Sequence, residues 1–63
     1  MIRYDRELNT LKKGDTFTEI ERDNYDFKEY RQVLRVDRVN KLTISVTCIE
    51  GYMVNSSWKI HTA

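Results

Sequence analysis

The chain has 63 residues, with 11 basic and 10 acidic side chains, one histidine, one cysteine, two glycines and no proline. A chain this short buries only about 60% of its unfolded surface, so one core claims nearly every large apolar residue, which argues against a deep cofactor cavity or a conventional active site. A net charge of +1 leaves no whole-protein field of the kind that drives nonspecific nucleic-acid or membrane binding.

No apolar run approaches a membrane span, and the opening Met1-Ile2-Arg3-Tyr4-Asp5 has no signal-peptide core. Residues Asp5 to Lys13 carry a short helical pattern: Tyr4, Leu8 and Leu11 recur at helical spacing, Asp5 and Glu7 come first, Lys12 and Lys13 last, and Gly14 supplies a stop. The alternative is an irregular arm crossing a barrel. The first strand then runs from Thr16 to about Arg22, with Phe17 and Ile20 on opposite parities; a bulge or partial cover on both faces would reconcile them. Asp23-Asn24-Tyr25-Asp26 is turn chemistry, because short Asx side chains bond their own backbone.

The second strand is expected from about Glu29 to Arg38, with Tyr30, Leu34 and Val36 facing in. A three-residue loop, Val39-Asn40-Lys41, would pair Val36 with Ile44 and Leu34 with Val46. From Leu42 to Ile60 the polar/apolar alternation is broken once, at Glu50-Gly51, which is the signature of a half-buried hairpin. A three-residue loop Ile49-Glu50-Gly51 with glycine at the left-handed place puts Cys48 opposite Tyr52, Val46 opposite Val54, Ile44 opposite Ser56 and Leu42 opposite Trp58. The core candidates are Trp58, Leu34, Val36, Ile44, Val46 and Val54. Cys48 falls on the inward parity; a lone buried thiol fits a reducing compartment, so the expected setting is cytoplasmic.

The expected fold is all-β, a single small domain over residues 1–63: an antiparallel meander closing into a barrel, with or without a short N-terminal helix. Leu11-Lys12-Lys13-Gly14-Asp15-Thr16-Phe17, then a basic strand, a polar-faced strand and a glycine hairpin, resembles small Src-homology-3-like barrels of the phage and prophage type. The resemblance covers about Leu11 to Ile60. It implies a cytoplasmic accessory protein that binds and modulates, typically inhibits, a host or phage protein. The paired tryptophans and the proline of true Src-homology-3 domains are missing, so polyproline recognition does not carry over.

Two surfaces stand out. Val33, Ile49 and Met53 converge at one end of the outward face, as a protein-binding patch or homodimer seam, unless Tyr4, Leu8 and Leu11 cover them as a second core layer. Arg31, Arg35 and Arg38 with Tyr30 form the alternative, a single-stranded nucleic-acid surface, although Glu29, Asp37 and Glu50 lie among them. Catalysis finds no support. Cys48 and His61 fall on opposite faces; Asp23, Asp26 and Glu29 lack the glycine and distal glutamate of a calcium loop; two glycines cannot build a phosphate loop. Neither a cofactor nor a metal is expected.

Overall fold

Five antiparallel strands, each paired only with its neighbours in sequence, make one sheet in the order β1 (Ile2–Tyr4), β2 (Thr16–Arg22), β3 (Glu29–Val39), β4 (Thr43–Glu50) and β5 (Ser57–His61). The structure is a computed structural model and describes residues 1–62. The sheet curls through 205° into an open half-barrel. The expected closure is corrected here: β1 and β5 remain separate edges. Among the described residues no helix is long and apolar enough to cross a membrane.

The concave face holds the core. Phe17, Leu34, Val36, Ile44, Val46 and Cys48 are buried there, with Trp58 and Ile60 packed against them from β5. The N-terminal segment fills the open side: Leu11 is buried in this cluster, and Tyr4 and Leu8 pack on it. Two expectations change with that placement. Residues 5–13 contain only one 3-10 turn, Leu8–Thr10, in place of an α-helix. So short a segment gains little as an isolated helix, and its first residues are held by β2. Asp5 takes the Thr18 N–H on Oδ1 at 2.8 Å and donates its own N–H to the Thr18 carbonyl, while Arg6 reaches the Thr16 carbonyl at 3.2 Å. Tyr4, Leu8 and Leu11 also cover the concave side, not Val33, Ile49 and Met53.

β2 has the expected bounds and an unbroken register against β3. Its uneven alternation is resolved without a bulge. Phe17 and Glu19 face in and Ile20 faces out, level with Arg3 and Arg31. Glu19 is buried among apolar residues because Gln32, across the ladder, donates Nε2 to its Oε1 at 2.7 Å. Gln32 in turn accepts the Cys48 thiol at 3.5 Å on Oε1. Burial first, then the Glu19 charge, pushes the Tyr4 phenol above its ordinary value.

The two hairpin registers differ from expectation. Leu34 lies opposite Cys48 and Val36 opposite Val46, two residues from the expected pairing, and Asp37 is extra before Arg38 pairs with Ser45. The bulge sets Asp37 and Arg38 both against Ser45 on the convex side. The turn moves forward with it: Asn40 N–H bonds the Thr43 carbonyl at 2.8 Å, leaving Leu42, expected inside, 55% exposed at the tip. In the second hairpin Val46 faces Trp58 and Ile44 faces Ile60, four residues from the expected register. Tyr52 and Val54 therefore leave the strand and the core for an exposed loop. Where the shift is even, side chains keep their expected face; past the Asp37 bulge it is odd, and Arg38 moves to the convex side and Val39 to the concave one.

Asp37 shows what its bulge accomplishes. Its carboxylate accepts the Thr47 hydroxyl and, at 3.0 Å, Arg35 Nε. The Thr47 bond first, then Arg35, holds its pKa below the ordinary carboxylate value. A lowered folded pKa stabilises the fold above the unfolded value of about 3.9, and that contribution disappears as pH falls through the folded value. Urea midpoints measured from pH 7 downward are expected to show wild type ahead of Asp37→Asn at neutral pH, with the gap closing in acid. A gap independent of pH would mean that the Asp37 charge is not what stabilises.

Candidate interaction surface

Val33 and Ile49 are brought together by a second bulge. Val33 pairs with Glu50 while Leu34 pairs with Cys48, so Ile49 is extra and shares the convex side with Glu50 opposite Val33. The chain then turns sharply. Gly51 has φ +129, and a Cβ there would sit 2.6 Å from Gln32 Cβ, so this position takes glycine alone. The loop that follows is held by Val54 N–H to the Gly51 carbonyl and Ser56 N–H to the Met53 carbonyl, with Asn55 at φ 72 as its left-handed residue. Met53 lies on this loop, at the same end as the Val33–Ile49 pair.

Several large apolar side chains stand exposed at the Glu50 end: Ile49 and Met53 are each 41% exposed, Val54 48% and Tyr52 67%, while Val33 is half-buried in β3. Tyr52 meets Tyr30 edge to face, their ring centres 6.1 Å apart. This pair borders a shallow hollow of about 600 Å³ that also takes in Met1, Glu21, Asp23 and Tyr25. Asp26 first, then partial burial, Asp23, Tyr52 and Glu21, push the Tyr30 phenol above its ordinary value. The β2–β3 turn on the far wall is built on Asx bonds, Tyr25 N–H to Asp23 Oδ1 at 2.8 Å and Lys28 N–H to Asp26 Oδ1 at 3.0 Å. Phe27 takes φ 60 there and stands exposed.

Sequence reading missed the tyrosine pair because it put Tyr30 and Tyr52 on the inward parity of the strands. The signal lay in the acids: Glu21, Asp23 and Asp26 surround a stretch with three aromatic residues, Tyr25, Phe27 and Tyr30, and acids seldom line a dry core.

Of the residues of the nucleic-acid alternative, Arg31, Arg35 and Arg38 lie on the convex side and Tyr30 on the concave parity. Arg31 is bound to Glu29 at 3.6 Å and Arg35 to Asp37 at 3.0 Å. Arg38 lies eight residues beyond Tyr30 along β3, about 26 Å at the usual strand rise. Cys48 is buried on the concave side and His61 is exposed at the opposite end of the sheet, so they form no nucleophile–base pair. Among the described residues no group of three or more histidine, cysteine or acidic side chains is placed to hold a metal ion.

The architecture, a small curled antiparallel sheet, is consistent with Src-homology-3-like folds in general. No protein-family model matches the sequence, and neither a curated protein nor a solved structure matches it.

Proposed function

We propose that this chain is a non-enzymatic binding module that docks on a partner protein through the band of Val33, Ile49 and Met53. The observation that carries this reading is the run Ile49, Tyr52, Met53 and Val54, large apolar side chains standing in solvent on a chain that needs its apolar residues for folding. Methionine and tyrosine are enriched in the centres of protein interfaces. The role implied by the resemblance, an accessory protein that modulates a host or phage protein, is the finer form of the same proposal.

The test is affinity capture from lysate of the source cells with wild type, Val33→Asp and Met53→Asp, after circular dichroism shows that the variants fold. One protein retained by wild type and lost from both variants supports the band. Equal retention by all three rejects it. Light scattering runs beside it: a dimer that Met53→Asp dissolves would make the band a seam between two copies instead.

A further inference from the structure

Among the described residues β5 ends the sheet with β4 as its only neighbour. Two hydrogen bonds bracket it and decide which of its backbone groups are free: Cys48 N–H to the Ser56 carbonyl and Thr62 N–H to the Leu42 carbonyl, both 2.9 Å. In an antiparallel ladder, bonded and non-bonded residue pairs alternate. Trp58 and Ile60, opposite Val46 and Ile44, therefore turn their amide groups toward β4, while Ser57, Lys59 and His61 turn theirs outward. No bulge interrupts the β4–β5 register and no proline occurs in the chain, so this edge lacks two usual protections.

The side chains state what such an edge accepts. Trp58 and Ile60 sit half-buried on the concave side. Lys59 is exposed on the convex side in a row with Ser45 and Arg38. Among the described residues Arg38, Lys41 and Lys59 form no salt bridge, whereas Arg3, Arg6, Arg31 and Arg35 each have a carboxylate partner. Lys12, Lys13, Arg22 and Lys28 form none either, and of these unpartnered cations Lys59 is the one that lies on β5 itself.

We infer that the β5 edge receives an extended strand from a partner protein, alternating apolar and acidic residues, with an acid opposite Lys59. Such a strand meets all three features at once: its backbone satisfies the outward groups, its apolar side chains continue the Trp58–Ile60 row, and an acid faces Lys59. A second copy is a poor occupant. Antiparallel pairing of two β5 edges in the register that uses all three outward residues, Ser57, Lys59 and His61, sets Lys59 against its own counterpart, and directly opposed like charges are destabilising. A nucleic acid would meet the cations but leave the outward carbonyls without donors. This edge does not include Val33, Ile49 or Met53, so failed capture through those residues leaves the test of the β5 edge standing.

Amide hydrogen exchange, followed by NMR on the full chain, tests the inference. The probes are two capped peptides, Val-Glu-Val-Glu-Val and Val-Lys-Val-Lys-Val. In the free monomer, Lys59 and His61 amides are expected to exchange fast and those of Trp58 and Ile60 slowly. The glutamate peptide is expected to slow the Lys59 and His61 amides about tenfold or more, and the lysine peptide to act several-fold more weakly. Lys59→Glu, at an exposed position, is expected to reverse that preference. Equal action of the two peptides, or no slowing by either at millimolar concentration, overturns the inference. So does protection that rises with protein concentration alone, which would give the edge to a second copy. Tight oligonucleotide binding that leaves these amides fast would assign the cations to nucleic acid.

Discussion

Leu34→Ala is expected to leave the chain largely unfolded at 25 °C. Leu34 is fully buried, flanked in the sheet by Phe17 on one side and Cys48 on the other. Removing a buried leucine to alanine costs about 2–5 kcal/mol, the upper part of the range applying where neighbours cannot collapse into the space. Both of Leu34's neighbours belong to strands held by ladder bonds, so little collapse is available. A chain of this size has a total stability of about 3–9 kcal/mol at the usual 0.05–0.15 kcal/mol per residue. Urea titration of circular dichroism should therefore show either no folded baseline or a midpoint well below wild type. Leu42→Ala, at the exposed turn, is the matched control and should move the midpoint little. Equal effects at the two positions would mean that the core has been placed wrongly.

Gly51→Ala is expected to destabilise by about 2–4 kcal/mol, the sum of strain at positive φ and of overpacking. The added methyl meets Gln32 Cβ at 2.6 Å and Gln32 Cα at 3.2 Å, and the latter is backbone, which cannot swing aside. Gln32 is also the partner of buried Glu19, so displacing it threatens that hydrogen bond as well. Gly14 separates the two causes. It has φ +91 but nothing within 4 Å of a Cβ, so Gly14→Ala carries the conformational strain alone, about 1 kcal/mol. Thermal melts of both variants should rank Gly51→Ala clearly below Gly14→Ala. If the two were equal, contact between the glycine and Gln32 would contribute nothing. Loss of the turn at Gly51 would also move Met53 and Tyr52, so this variant should weaken partner capture even where it folds.

The faces of the strands were legible from alternation alone because a period of two survives any even slip. Val46 and Trp58 were expected on one side, and they lie directly opposite each other. The registers were not legible, and the reason is visible in the residues. The loop ends where Asn55 adopts the left-handed conformation, and a second left-handed residue four positions after Gly51 has no signature as strong as glycine's. The bulges at Asp37 and Ile49 depend on contacts between strands, the Thr47 hydroxyl on Asp37 and the Gly51–Gln32 approach, which no local pattern announces. β1 was missed because three residues are too few for a period. Val33, Ile49 and Met53 were proposed from parity, whereas Met53 stands exposed with Tyr52 and Val54 because the longer loop took all three out of the ladder.

Both proposed surfaces depend on that longer loop, since it exposes the band and aligns the free groups of β5. The most direct measurement is the pattern of short Hα–Hα contacts between β4 and β5 in an NMR spectrum, which arise at non-bonded antiparallel pairs. The structure predicts contacts from Ser45 to Lys59 and from Thr47 to Ser57. A contact from Ser45 to Asn55 instead would establish the tight three-residue loop, return Val54 and Tyr52 to the sheet, and contradict the account.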